Sequence, residues 1–512
     1  MAMWASSATS MPRVATRVRA RIGGAGSTGR VVLRPRRRAV PRAAPVTTST
    51  TPPPFVDFDT TGCGPFPLLD PTRGYTHVSP GVCDTCADSA EARRAWVELL
   101  LGQLPSHRAN AERTAKFLGD ECPPDYTERY RAWEGDYEEY LAEVSKDGVP
   151  KGAGATLLDM VDEKERLLRR RGLDDMFAGL KAAENAIASV LFHSVASEID
   201  GIWSPARTID GDTRDRKGDR KGDDATAKAA MIRAVIECCL AGNLFDAGAA
   251  AAVQGVQVGD FCEPCVVEPD SRTMSEEEAG RYRLDADQLA EVFARARRRV
   301  SREECPGGWR FDSFSDVVSR CRDLNAENRA AGWRRVVVFC DNAGADVMGM
   351  VVLARALAAV GGEDTKVALV ANTHAALNDV THAELLGFLS TVSSSGGDGD
   401  AGDPILAAQM ERGRVIAVPS GQFSTLLDLN RAGAELNAWV EEELRSVPAG
   451  EDWLVVFDGM GRGLESNWNP APYLKDGVNA LNLAMVKSEI NAKRLGAEVY
   501  DCVVKLSVGG SK

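Results

Sequence analysis

The 512-residue sequence predicts an α/β protein in which a mostly parallel, Rossmann-like sheet follows an N-terminal, mainly helical region. Three observations carry that expectation. The runs "RRVVVFC" (334–340), "KVALVA" (366–371), "RVIAVP" (414–419), "WLVVF" (453–457) and "EVYDCVVKL" (498–506) are short and largely apolar, as strands covered on both faces must be. Helical patterns separate them, and strand–helix alternation is how consecutive parallel strands are joined. Before residue 312 the apolar spacing follows the 3.6-residue helical period instead.

Taken in order, residues 1–54 read as a disordered organelle-targeting segment. The first 50 residues hold ten Arg, no Lys and no acid, with abundant Ala, Ser and Thr and no continuous apolar stretch of the secretory kind. The Ser, Thr and Pro content favours the chloroplast over the mitochondrion; the alternative is a basic arm on a cytoplasmic protein. Residues 55–312 read as the mainly helical region. "SAEARRAWVELLLGQL" opens on Ser89 and sets Trp96, Leu99, Leu100 and Leu104 on one face, and "ATLLDMVDEKERLLRRRG" repeats the pattern and stops at Gly172. Residues 205–226 and 256–308 read as loose, solvated surface insertions. Between them Gly242 and Asn243 interrupt a strongly apolar helical stretch. Residues 313–512 hold the sheet.

Net charge is −13, and beyond the basic head 51 basic residues face 74 acidic ones. An acidic body excludes nucleic acid as the expected partner, because phosphate backbones are bound by Lys and Arg. No stretch approaches 18 uninterrupted apolar residues, so no membrane span is expected. Among twelve cysteines, Cys83/Cys86 and Cys262/Cys265 have CxxC spacing. Together they could close a zinc site, but their wide separation and the lack of neighbouring His favour reduced bystanders.

In a parallel α/β sheet, ligands bind beyond the carboxyl ends of the strands. There the sequence sets Asp341-Asn342, Asn372-Thr373, Asn378-Asp379, Ser420 of "PSGQ", and Asp458 followed by "GMGRG" (459–463). Hard oxygen donors without His or Cys suit Mg²⁺ or Mn²⁺, with substrate phosphate completing the charge balance. Gly459, Met460 and Gly461 can offer backbone N–H groups to an anion, and Arg462 a guanidinium fork. Lys487 of "LAMVKSEI" adds a point charge if it faces the same edge. Each feature also has a plainer reading. Asp341 and Asn342 equally suit a helix cap, the glycines a tight turn, Thr381 a cap, and His374 and His382 the surface. The Ala-Gly-Ala at 343–345 reads as clearance for an approaching phosphate.

The stretches "RAWVELLLGQLPS", "AGNLFDAG", "VVFCDNAGADVMGMVVLARAL", "NDVTHAEL", "FDGMGRGLESN", "MVKSEI" and "GAEVYDCVVKL" together resemble the metal-dependent damage-control phosphatases. The likeness is strongest to the subfamily that includes the phosphatase half of pantothenate kinase 4 and its stand-alone plant relatives. The stretches follow the family's order from about residue 90 to 507. The resemblance implies a helical part packed on an α/β part. It also implies a divalent ion (Mn²⁺, Mg²⁺, Co²⁺ or Ni²⁺) on Asp341, Asn342 and Asp379, with Asp458 and Arg462 joining them in catalysis. Asn243 and Asp246 would line the pocket and Lys487 would contact phosphate. The implied partner is a small phosphorylated metabolite: 4′-phosphopantetheine, its oxidised or damaged forms, or damaged sugar phosphates. The family's Glu is Asp458 here, one methylene shorter, and the segment before residue 90 is too short for a kinase half. Two rival expectations are a carboxyl methyltransferase using S-adenosylmethionine and a scaffold without turnover. The oligomeric state is not legible.

Overall fold

A computed structural model describes residue 58 and residues 62–76, 90–146, 156–203, 220–244, 286–305, 308–322, 332–394 and 402–510. Residues 1–54, Asp246, Cys83, Cys86, Cys262 and Cys265 lie outside the described residues. The helices before the sheet are α1 (Ala90–Gly102), α2 (Leu104–Leu118), α3 (Tyr126–Val144), α4 (Leu157–Arg170), α5 (Ala178–Ile202), α6 (Arg220–Leu244), α7 (Ala286–Arg299) and α8 (Phe314–Arg322). The sheet region then runs β1 (Arg335–Phe339), α9 (Ala345–Val360), β2 (Lys366–Ala371), α10 (His382–Ser393), α11 (Pro404–Glu411), β3 (Val415–Pro419), α12 (Ala434–Ser446), β4 (Trp453–Asp458), β5 (Asn479–Met485), α13 (Glu489–Leu495) and β6 (Cys502–Val508).

The sheet order is β3-β2-β1-β4-β5-β6. The first five strands are parallel and β6 returns antiparallel beside β5. From β1 the chain moves outward through β2 and β3, then comes back to β4 on the other side. That reversal is the topological switch point of a doubly wound sheet, where the loops part and leave a crevice.

Because side chains alternate across a strand, β1 divides its residues between two cores. Val336 and Val338 join a cluster with α5, α6, α7 and α9, while Val337 and Phe339 join Phe66, Leu68, Leu436 and Val440 on the opposite face. Residues 62–76 form turns with isolated bridges from Gly64 to Ala432 and from Leu69 to Leu474, and their apolar side chains pack with that second face. Helices α1 to α4 build a third core around Trp96, Trp133, Tyr137 and Phe177, and it reaches the sheet region through Leu426. Thr156 and Asp159 start α4 with a capping box, which fixes where its apolar face begins.

Three elements differ from the sequence expectation. The first is β5, "NALNLAM", unpredicted because Leu, Ala and Met favour helix and its two Asn look solvated. The Asn479 amide donates to the carbonyls of Glu451 and Trp453, and the Asn482 amide to those of Gly463 (2.6 Å) and Asn467 (2.8 Å), so both NH₂ groups are buried with partners. The second is α7, inside the expected surface insertion 256–308. Phe293, Ala296 and Val300 recur at helical spacing and bury in the main core. The third is the end of the other expected insertion, where residues 220–226 already belong to α6.

Gly242 does not break α6. It lets the helix press against α9: a Cβ there would meet Ala345 O at 2.6 Å, and one at Gly349 would meet Cys239 Cα at 2.9 Å. The two glycines bring the end of α6 onto the lip of β1.

Candidate active site

Asp341 and Asn342 leave β1 at the switch point, and the loop after β2 closes over them. The Val380 N–H donates to Asp341 O (2.9 Å), the Ala343 N–H to Asn378 O (2.9 Å), and Asn342 bridges Asp379. The capping reading of the Asp-Asn pair fails, since α9 begins at Ala345 with Gly344 as N-cap and no side-chain cap bond. The capping reading of Thr381 holds: with Glu384 it forms the capping box of α10.

Asparagines hold the carboxylates in place. Asn243, brought in by the close approach of α6, donates to Asp346 Oδ1 (2.6 Å) and Asp458 Oδ1 (3.0 Å). The Asn342 side chain donates to Asp341 Oδ2 (2.9 Å) and Asp346 Oδ2 (3.1 Å). Asn372 donates to Asp379 Oδ2 (3.0 Å) and to Ser424 O (2.9 Å). The other oxygen of Asp458 accepts from the Asp341 N–H at 3.3 Å. After β4 the chain turns sharply through a single π-type turn, Gly461–Ser466, which delivers Arg462. Its guanidinium spans Asp341 Oδ1 and, at 2.7 Å, Asp379 Oδ2.

Four buried carboxylates, Asp341, Asp346, Asp379 and Asp458, therefore gather at this edge, and Asp341 and Asp379 share the Arg462 guanidinium. Burial, then the charges of Asp346 and Asp341, push the Asp458 carboxyl well above the usual range. Burial opposes the Arg462 cation, but the Asp379 and Asp341 carboxylates outweigh it and raise its pKa above the ordinary guanidinium value. Among the described residues no three His, Cys, Asp or Glu side chains are drawn together as a finished metal cage. The donor chemistry nonetheless fits a hard divalent cation, since the oxygens are carboxylate and carboxamide.

The remaining candidates separate. A Cβ on Gly459 (φ +77°) would lie 2.0 Å from Asp341 Oδ2, so this glycine makes room for that carboxylate. Gly461 passes close to the Thr425 carbonyl, while Met460 packs into the small cluster of Leu464, Ala484 and Val486. Ser420 donates to Asn372 Oδ1 (3.4 Å), one step out from the carboxylates. Thr373 is not brought in; it is exposed and accepts from the Gly421 N–H. Lys487 is buried in the loop after β5, where its charge and that of Asp341 both act on Glu465.

Sequence reasoning missed Asp346 and a face of α5. Lys181 is fully buried, with Nζ 2.7 Å from Asp175, 3.0 Å from Glu384 and 3.4 Å from the Asp379 carbonyl. Asn185 accepts from the Gly344 N–H (2.8 Å), and a Cβ on Gly344 would meet Glu184 Cβ at 2.7 Å. Gly344 of the Ala-Gly-Ala stretch thus makes room for α5. The available signal was "KAAEN", three polar groups at i, i+3 and i+4 in the largely apolar first half of the helix.

Helix α4 roofs this edge. Asp162 pairs with Arg431 at 2.7 Å, and Leu426 packs into the same helical core. Three residues after Asp162, burial pushes the Glu165 carboxyl up to about 7. Its folded pKa lies above the ordinary carboxylate value, so the folded state holds an extra proton between about pH 4.5 and 7. This contribution to stability is complete below that window and is lost as pH rises through it. Urea midpoints should fall between pH 5 and 7.5, and Glu165→Gln should flatten that part of the curve; an unchanged slope in the variant would rule the assignment out.

Comparison with known proteins places these features in a family. The model of the damage-control phosphatase ARMT1-like domain matches residues 103–503. A damage-control phosphatase of Arabidopsis thaliana is 26% identical over 417 residues, covering 81% of this chain and 87% of that protein. Pantothenate kinase 2 of Oryza sativa is 26% identical over 86% of this chain, and the 4′-phosphopantetheine phosphatase of Mus musculus 24% identical over 69%. The chain matches only 41% and 38% of the length of those two longer proteins. A crystal structure of a DUF89 family protein from Pyrococcus horikoshii aligns with a TM-score of 0.45 at 13% identity, covering 80% of this chain and 97% of that one. Since the family match runs through both the helical roof and the sheet edge that carries the acids, the chain belongs to the damage-control phosphatase ARMT1-like domain family and is a phosphatase.

Proposed function

We propose that the chain is a divalent-metal-dependent phosphomonoesterase of small phosphorylated metabolites, with 4′-phosphopantetheine and its oxidised forms as first candidates and damaged sugar phosphates as second. The observation that carries this reading is the set of four buried carboxylates at the switch point, two of which share the Arg462 guanidinium. Asp341, Asn342 and Asp379 are the residues that would hold Mn²⁺, Mg²⁺ or a similar ion, which when bound supplies Lewis acidity toward the phosphoryl oxygens.

The protein's own groups do the rest. Asn342 and Asn372 orient the carboxylates by donating to them. Arg462 lies within reach of both Asp341 and Asp379, where its fork can bind phosphoryl oxygens and stabilise charge that grows on them. Lys487 adds a second cation from the β5 side. Asp458 is committed to Asn243 and the Asp341 N–H, which gives the shorter acid a bracing role. The name of the mouse relative supports phosphopantetheine as a substrate class. The basic, acid-free head supports import into an organelle, the plastid ahead of the mitochondrion, and a reporter fused to residues 1–54 tests it.

The deciding experiment is phosphate release from a panel containing 4′-phosphopantetheine and several sugar phosphates, with added Mn²⁺ or Mg²⁺ and with EDTA. Release that depends on the ion and favours phosphopantetheine is the expected result. Release that persists in EDTA removes the metal from the reading, and no release from any ester refutes turnover on this class.

A further inference from the structure

Lys164, on α4, has no task in the site as described, yet it is 1% exposed. Among the described residues its Nζ has no hydrogen-bond partner, and its ion pair to Glu165 is long at 3.7 Å. Beside it, Glu165 Oε1 and both ring nitrogens of buried His107 also have no partner. Buried polar atoms are nearly always satisfied, and an ammonium buried with so little compensation opposes folding. A group of this kind persists where a ligand uses it.

Slack in the helix does not account for the placement. Helix α4 starts in a capping box, the Trp133 Nε1–H donates to the Lys164 carbonyl (3.0 Å), and Asp162, half a turn away, is tied to Arg431. Helix α4 packs on the loop beside the site through Asp162, which pairs with Arg431, and through Leu426. Burial lowers the Lys164 pKa, the charges of Glu165 and then Asp379 oppose that, and burial followed by the Lys164 charge depresses His107. Charge balance explains why it is wanted. A phosphate dianion entering beside four carboxylates meets Arg462, whose fork already serves Asp341 and Asp379. Beside Arg462 and Lys487, a further cation with unspent donors suits such a ligand.

We propose that Lys164 is a substrate ligand, its ammonium donating to an oxygen of the phosphate group on the Asp379 side, so that the helical region completes a site otherwise built by the sheet. This rests on the phosphatase reading above. The geometry makes an unusual demand on the test: removing a structural lysine lowers stability, whereas removing an uncompensated one does not.

Lys164→Met, Lys164→Gln and Lys164→Arg would be compared with wild type in three measurements: KM and kcat for p-nitrophenyl phosphate with Mn²⁺, the inhibition constant of inorganic phosphate, and the melting temperature without metal or phosphate. For Lys164→Met and Lys164→Gln, the expected result is at least a tenfold rise in both KM and the phosphate inhibition constant, with Tm equal to or above wild type. Lys164→Arg should recover part of the loss. Constants within twofold of wild type, or a loss of activity that tracks a fall in Tm, overturn the proposal, as does failure of all three variants to fold. An active wild type with an indifferent Lys164→Met rejects this assignment alone. An inactive wild type rejects the phosphatase reading and the assignment with it.

Discussion

Asp341→Asn should lower phosphate release by about 10³-fold or more while leaving a folded protein, equivalent to about 4 kcal/mol of lost transition-state stabilisation. The substitution keeps the shape of the side chain, and its remaining oxygen can still accept from Arg462, which now pairs with Asp341 and Asp379 together. It removes one of the buried negative charges that make this edge attractive to a divalent cation. Two consequences separate this from general damage. Ion affinity, followed by the metal-induced rise in Tm, should weaken in parallel with activity. In EDTA the variant and wild type should become equally slow. A variant that keeps wild-type turnover in Mn²⁺ would show that Asp341 is a structural partner of Arg462 and nothing more.

How far such a site can be read in advance depends on where its information lies. The strand ends were legible because β1, β2 and β4 are buried on both faces, so the first acid or amide after each apolar run marks its C-terminal end. That logic found Asp341, Asn342, Asn372 and Asp458, which the structure brings together. It over-read Thr373, because the residue after Asn372 turns outward to the Gly421 N–H. Asp346 escaped notice as an ordinary first-turn helix acid, although it accepts from both Asn243 and Asn342. Lys164, Lys181 and Asn185 belong to helices far away in sequence, and only tertiary packing brings them to this edge. The same holds for β5: its Asn residues look solvated until the carbonyls they bind are known. Local pattern identifies what a segment offers; the partner that accepts the offer is a property of the fold.

Gly459→Ala should cost at least about 10²-fold in activity and about 3 kcal/mol in stability, from two separable causes. At φ +77° an L side chain is strained, which by itself accounts for about 1–2 kcal/mol. The larger cause is contact: the new methyl would lie 2.0, 2.3 and 2.7 Å from Oδ2, Cγ and Cβ of Asp341. Rotating one oxygen away cannot relieve three such distances, so either the whole Asp341 side chain or the turn that carries Arg462 must shift. Gly413→Ala provides the comparison, since Gly413 has a similar φ of +65° and nothing within 4 Å of the added methyl. That variant should lose about 1 kcal/mol by urea unfolding and no activity. If Gly459→Ala behaved like Gly413→Ala, the close approach of β4's exit to Asp341 would have no part in shaping the site. The expected divergence between two glycines of like backbone conformation would instead isolate steric support of one carboxylate as the reason for glycine at 459.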